Sequence, residues 1–119
     1  MGYFLVHRRG EACYYPVLVT MIGDVILRGT ECSNSPLACE TSINLIRSLA
    51  TDFSNYDLKE SLHGKYFFEI SDANGKTVAQ SALFENEDTV FSSIELVIRM
   101  IPEAVVDEQL FPHYALNDR

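Results

Sequence analysis

Three cysteines, Cys13, Cys32 and Cys39, are the residues of this sequence best suited to covalent chemistry. Cys13 lies across a predicted hairpin from His7, a spacing that permits a thiol–imidazole pair. A nucleophilic site also needs a third group that orients the base and donors that stabilise an oxyanion, and a hairpin supplies neither. Free cysteines usually behave as small hydrophobic residues. A small thiol-based redox protein or enzyme that uses Cys13 or Cys32 is therefore the alternative function, not the leading one.

Cys32 and Cys39 bracket the start of the first predicted helix, where the helix N-terminus can lower a thiol pKa. The sequence has an odd number of cysteines and no C-x-x-C spacing. This pattern predicts neither a disulfide framework nor a zinc site, and it favours a reducing cytoplasm. We expect Cys39 to be buried on the helix and to resist iodoacetamide in the native protein.

The remaining polar residues form no recognised catalytic or metal-binding motif. The histidines, His7, His63 and His113, stand singly without i, i+4 spacing. An acidic cluster at residues 85–88 lacks the calcium-loop pattern, and carboxylates are expected at helix starts. Nucleotide-binding and hydrolase signatures are absent from the sequence. We therefore predict no catalytic residue, no metal and no cofactor.

The composition is that of a folded protein without nucleic-acid or membrane partners. The 119 residues are 47% hydrophobic and 22% charged, and the net charge is −8. That charge opposes binding to phosphate backbones. The apolar run 3–6 before His7 is too short for a signal peptide or a membrane span, and we expect a cytoplasmic protein.

Hydrophobic periodicity and turn residues predict the same succession of elements twice. Strands are expected at 3–7, 14–20 and 25–28, followed by a helix that Ser35 and Pro36 open and that turns Leu37 toward the core. Strands are again expected at 56–62, 65–71 and 76–81, with Asn74 and Gly75 in a type I′ turn. A helix over 89–101, capped by Glu87 and Asp88, and a short strand at 104–107 complete the second half.

The two halves also match in register. Gly23 and Gly75 stand 52 positions apart, and the helical segments Ser42–Arg47 and Ser93–Ile98 correspond at a shift of 51. A duplication explains both shifts. A chain of this length builds one core, so the repeats should share it. The final short strand needs an edge to pair with, and the sheet of the other repeat is the most economical one.

Specific residues on these elements resemble the YegP-like family of small bacterial proteins. The resemblance rests on Gly64-Lys65-Tyr66-Phe67-Phe68 in a strand, Ala73-Asn74-Gly75 in a turn, and the opening Met1-Gly2-Tyr3-Phe4. It implies an α+β fold in which tandem β-β-β-α-β repeats form one shared antiparallel sheet. Two helices would pack on one face, and the repeats would swap their terminal strands. The family has no assigned biochemical role, so the resemblance carries over no catalytic position.

The sequence differs from the family in its helices. Ser42-Ile43 and Ser93-Ile94 stand where the family has Gly-Ile, and basic residues are fewer. A function that uses a lysine-bearing helix face is therefore not expected here.

These observations predict a single domain at 1–107, with repeat one at 1–60, repeat two at 56–107, and a C-terminal tail at 108–119. We interpret the protein as a non-enzymatic interaction or ligand-binding module that binds a protein or a small ligand. Packing of both helices on one face leaves the other sheet face open. The candidate contact residues are Tyr15, Phe67, His7, Arg8 and Arg9. Duplication makes the chain an internal pseudo-dimer, and we expect a monomer or a weak homodimer.

Overall fold

The computed structural model describes residues 2–106, which form seven strands and two helices. In chain order the elements are β1 Gly2–Arg9, β2 Cys13–Thr20, β3 Val25–Gly29, α1 Cys39–Leu49, β4 Tyr56–Glu60, β5 Tyr66–Ser71, β6 Thr77–Ser81, α2 Glu87–Met100 and β7 Val105–Val106. Single 3₁₀ turns, Phe53–Asn55 and Ile101–Glu103, precede β4 and β7. The predicted tail 108–119 lies outside the described residues. None of the helices within residues 2–106 is long and apolar enough to cross a bilayer.

All seven strands belong to one sheet with the order β4-β5-β6-β3-β2-β1-β7. The α+β class is confirmed: one seven-stranded sheet with two helices. The pairs among β1–β6 are antiparallel, but β7 runs parallel to β1, with Tyr3 opposite Val105 and Phe4 opposite Val106. The prediction of a purely antiparallel sheet is therefore wrong at this edge. The chain reaches β7 through α2, and a helical crossover, unlike a hairpin, permits parallel pairing.

The core lies between the helices and one face of the sheet. Ile43 and Ile46 of α1 and Val90 and Ile94 of α2 are buried in the same cluster. The strands contribute Phe4, Leu18, Phe68 and Ile70 to that cluster. Phe4 and Leu18 are direct cross-strand partners, so their side chains point to the same face. Alternation along each strand then directs the intervening residues to the opposite face, which we call the open face.

The helices begin at different residues from those predicted. The Ser35 hydroxyl accepts a hydrogen bond from the Ala38 N–H (3.2 Å), but α1 begins only at Cys39. Leu37 therefore lies in the preceding turn with 69% of its surface exposed, and the prediction that it faces the core is wrong. Helix α2 is capped by Asn86, whose side chain accepts from the Thr89 N–H (2.9 Å). The predicted caps, Glu87 and Asp88, occupy the first turn instead.

The turn between β5 and β6 is not the predicted type I′ turn. Among the described residues positive φ occurs only at glycines, and Gly75 has φ of 82°. Its N–H donates to the Asp72 carbonyl (3.0 Å), and the Asp72 carboxylate accepts from the N–H groups of Asn74 and Lys76. Asp72 thus organises the turn through its side chain, and Asn74 keeps an ordinary conformation.

Candidate functional site

The first hairpin places the predicted contact residues on two sides of the sheet. His7 pairs with Tyr15 and Arg9 pairs with Cys13, so these four residues project from the open face. Arg8 lies on the opposite side of β1. Its Nε donates to the Gly10 carbonyl (2.7 Å), and its guanidinium carbon is 5.7 Å from the Tyr14 ring centroid. The structure therefore brings His7, Arg9 and Tyr15 together and separates Arg8 from them.

The Tyr15 ring is the centre of this group. The ring centroids of Tyr15 and His7 are 5.8 Å apart in an edge-to-face arrangement. The Arg9 guanidinium carbon lies 5.3 Å from the Tyr15 centroid, which is a cation–π distance. Tyr15 is half-buried as a result. Its ring holds the Arg9 side chain in place and is only partly available to a ligand.

The middle of the open face is formed where β3 pairs with β6. Arg28 stands directly opposite Gln80, with Val17 and Glu69 as the next neighbours on either side. Phe67 lies two residues before Glu69 on β5 and therefore points to the same face. Reasoning from the sequence did not single out Arg28 or Gln80. Their separation of 52 positions equals that of the two turn glycines, and this signal could have paired them.

Two depressions meet at this central pair. The first, which we call the basic depression, measures about 190 Å³ and is lined by Arg9, Tyr15, Arg28, Gln80 and both Cys13 and Cys32. The second, the apolar depression, measures about 510 Å³ and is lined by Val25, Phe67, Ala82 and Leu83 together with the same Arg28 and Gln80. Because they share two residues, the depressions adjoin at this pair, and their lining comes from five strands, β1, β2, β3, β5 and β6. We call the two depressions together the groove.

Charge is unevenly distributed along this groove. The basic depression is lined by two arginines, Arg9 and Arg28. The acidic residue at its rim, Glu31, forms an ion pair with Lys76. This hydrogen-bonded pairing raises the pKa of Lys76. The Glu31 charge is thereby balanced, and both arginines contribute positive charge to a protein whose net charge is −8.

Cys13 and Cys32 form a disulfide at the rim of the basic depression, with their Cα atoms 4.7 Å apart. The prediction that the sequence contains no disulfide is therefore wrong. The two residues are 19 positions apart and share no local motif, so only the folded hairpin and the loop after β3 bring them together. Next to them, the backbone groups of Tyr14 and Ser33 exchange two hydrogen bonds of 2.8 Å.

This bond also changes the interpretation of the thiols. Cys13 is bonded to Cys32 and stands opposite Arg9 rather than His7, so the thiol–imidazole pair considered from the sequence is not formed. Disulfides persist mainly in oxidising compartments. The cysteine pattern therefore no longer favours a reducing cytoplasm, and the compartment stays a prediction.

Cys39 is a free thiol that is fully buried beside Val6 and Tyr14. Burial raises its pKa, and a hydrogen bond with Ser33 opposes that shift. The expectation that Cys39 is a buried helix residue is confirmed. Within the described part of the chain, no three His, Cys, Asp or Glu residues lie close enough to hold a metal ion. In the acidic cluster, Glu85 forms an ion pair with Lys65.

No family model matches the sequence, and no curated protein matches it. The fold is similar to the solution structure of yegP from E. coli, a protein of unknown function, with a TM-score of 0.77 at 23% sequence identity. The match covers 88% of this chain and 90% of yegP. The chain has the YegP fold. The UPF0339 protein from Shewanella oneidensis is similar at a TM-score of 0.76 and 16% identity, over 88% of each chain.

The resemblance to the YegP-like family seen in the sequence is thus confirmed for the fold. At these identities the comparison carries the architecture alone, and neither solved structure supplies an activity or a ligand. The function must therefore be argued from the groove itself.

Proposed function

We propose that this protein is a non-enzymatic module that binds a small organic ligand in the groove on the open sheet face. The observation that carries the proposal is that the basic and apolar depressions adjoin, with Arg28 and Gln80 lining both. Small-molecule sites combine apolar and aromatic walls with a few convergent polar groups, and the groove has both. Its volume favours a small molecule over a protein partner.

The chemistry of the lining supports binding rather than catalysis. Guanidinium groups remain protonated at physiological pH, and the Gln80 amide does not titrate. Such groups orient a ligand through hydrogen bonds but do not act as proton donors or acceptors in a reaction. Tyr15 and Phe67 contribute one aromatic side chain to each depression, as expected for a surface that contacts a flat or apolar ligand.

Chemical-shift mapping tests this function. ¹⁵N-labelled protein is titrated with neutral and charged aromatic probes, such as 3-phenylpropanol and 3-phenylpropionate. We expect the amides of Tyr15, Arg28, Phe67 and Gln80 to shift together, and we expect Phe67→Ala to weaken binding. Phe53→Ala is the matched control, because Phe53 is the same residue type, has 57% of its surface exposed and lines neither depression. Shifts confined to another surface, or none at millimolar probe, would refute the proposal.

We also propose that the domain 1–107 arose by duplication, with repeats at 1–60 and 56–107 that swap terminal strands. Two features support this at a shift of 51 or 52 positions. Strand β3 has one extra residue, Ile26, in its pairing with β2, and β6 has one extra residue, Val78, in its pairing with β5. Isolated bridges join Tyr14 to Ser33 and Tyr66 to Phe84. The pairing of β7 with β1 and of β3 with β6 supports interdependent halves, which form an internal pseudo-dimer within one chain. The proposed oligomeric state is a monomer or a weak homodimer.

An engineered disulfide tests the duplication. In the first half, the disulfide joins the two residues that directly precede the bridged pair Tyr14 and Ser33. In the second half, the residues that directly precede the bridged pair Tyr66 and Phe84 are Lys65 and Leu83. A Lys65→Cys/Leu83→Cys variant should therefore form a second disulfide on air oxidation, and Lys65→Ser/Leu83→Ser is the matched control. Peptide mapping detects the new cross-link. Two thiols that stay free in the folded, oxidised variant would contradict the proposed equivalence.

A second candidate function is thiol–disulfide exchange through Cys13 and Cys32. The observation that favours it is the position of the disulfide at the rim of the basic depression, where Cys32 is exposed. Arginines near a cysteine stabilise the thiolate that exchange requires. Equilibration with glutathione buffers tests this function. In an exchange protein the disulfide is reduced and reoxidised at physiological glutathione potentials. A disulfide that stays oxidised at all of these potentials is structural.

A further inference from the structure

We propose that the groove is specific for a carboxylate with an apolar body, the carboxylate lying between Arg9 and Arg28 and the body along the apolar depression. This inference rests on the proposed ligand-binding function and names its ligand class. It follows from the chemical difference between two depressions that share Arg28 and Gln80 in their lining.

The basic depression has the donors that a carboxylate needs. A guanidinium presents paired N–H groups in a plane, which matches the two oxygens of a carboxylate. Arg9 contacts the Tyr15 ring, and this contact reduces the side-chain freedom that is lost on binding. Arg28 projects from the centre of the sheet, where Gln80 adds a neutral amide donor. The volume of about 190 Å³ suits a headgroup rather than a whole ligand.

The charge of the headgroup is the next property to be fixed. Glu31 lines the basic depression but is paired with Lys76, so it adds little net charge there. A carboxylate carries a single negative charge, whereas a phosphate monoester carries nearly two at neutral pH. The doubly charged phosphate ester loses more hydration free energy when it is bound, and this desolvation cost favours the carboxylate.

The apolar depression offers surface that is left unburied by the fold. Val25 is 43% exposed and Leu83 is 57% exposed, although both are apolar, and Phe67 borders them. A chain or ring that starts from the carboxylate and crosses the Arg28–Gln80 pair would cover these side chains. Each methylene group that becomes buried should tighten binding about fourfold.

Calorimetric titration of the oxidised, full-length protein with three probes tests the inference. Octanoate has the charge and the chain, octan-1-ol has only the chain, and acetate has only the charge. We expect octanoate to bind at least about tenfold more tightly than either of the others, since a charge-assisted hydrogen bond contributes at least that factor. Octyl phosphate is the fourth probe and should bind more weakly than octanoate.

Variants assign the effect to the groove. Arg28→Gln should weaken octanoate binding about tenfold or more and leave octan-1-ol binding unchanged, with Arg9→Gln as an independent second variant. Lys59→Gln is the matched control, because Lys59 stands opposite Phe67 on the same face but lines neither depression. It should leave octanoate binding unchanged. Circular dichroism verifies that each variant is folded.

The outcomes distinguish failure of the carboxylate assignment from failure of the proposed ligand-binding function. Equal binding of octanoate and octan-1-ol on the open face would overturn the carboxylate assignment and leave the ligand-binding function intact. Tighter binding of octyl phosphate would overturn it in the same way, as would undiminished octanoate binding by both arginine variants. Failure of every probe to perturb the open face would overturn both proposals.

Discussion

Removal of the Cys13–Cys32 disulfide should lower the free energy of unfolding by about 3 kcal/mol. The bond closes a loop whose ends are 19 positions apart, and a cross-link of this size restricts the unfolded chain. The chain-entropy relation gives about 3 kcal/mol for a loop of this length. Since domains of this size are stable by about 5–15 kcal/mol, the loss is a large fraction of the total.

The folded state should change little when the bond is broken. Tyr14 directly follows Cys13, and Ser33 directly follows Cys32. These two residues remain joined by two backbone hydrogen bonds of 2.8 Å. These keep the loop after β3 against β2 without the sulfur atoms. The predicted effect therefore arises in the unfolded state, and it corresponds to a melting temperature about 12 °C lower.

Urea unfolding followed by circular dichroism measures the effect in three samples: the oxidised protein, the reduced protein and a Cys13→Ser/Cys32→Ser variant. The reduced protein and the variant should lose the same stability, and reductant should not change the variant further. Thiol titration in denaturant should find one thiol, Cys39, before reduction and three after it. A loss below about 1 kcal/mol, or three thiols in the unreduced protein, would refute the reasoning.

Three further predictions concern single residues. Gly29→Ala should lower stability by about 1–3 kcal/mol in urea unfolding, because its Cβ would lie 2.8 Å from Pro16 Cδ, and Pro16→Ala should recover part of the loss. Asn86→Ala should cost about 1 kcal/mol through loss of the α2 cap, whereas Asn86→Asp should retain it. The buried Tyr56 hydroxyl donates to the Ala50 carbonyl (2.6 Å), and burial raises its pKa above the ordinary 10.0. The unfolded state thus releases this proton first, so stability should fall as pH rises above about 10, and Tyr56→Phe should reduce that dependence.

Local patterns were sufficient to predict the elements of the fold. Each predicted strand and helix is present, with ends that moved by a few residues where a side chain decided the boundary. Ser35 holds a turn before α1, and Asn86 rather than Glu87 caps α2. Such boundaries depend on single hydrogen bonds, which a periodic pattern does not encode.

The groove and the disulfide could not be predicted in the same way. Arg28 meets Gln80 only because β3 and β6, which are far apart in the chain, pair at the centre of the sheet. Cys13 meets Cys32 only because the loop after β3 returns to the first hairpin. Both contacts depend on pairing between distant segments. The position of Tyr15 and Phe67 on the open face could be predicted, because aromatic residues at alternate strand positions are visible in the sequence. Their role as contact residues stays a prediction.

The two ends of the groove differ in chemistry, so the groove is asymmetric along its length. Arg28 and Gln80 stand 52 positions apart and face each other, so an internal two-fold axis through this pair would give two identical depressions if the halves were identical in sequence. At the other corresponding positions Val17 is replaced by Glu69, while Cys13 and Cys32 correspond to Lys65 and Leu83. One end is therefore closed by a disulfide and flanked by arginines, and the other is apolar. A symmetric groove would accept a ligand in either orientation, whereas the groove proposed here would distinguish a charged end from an apolar end.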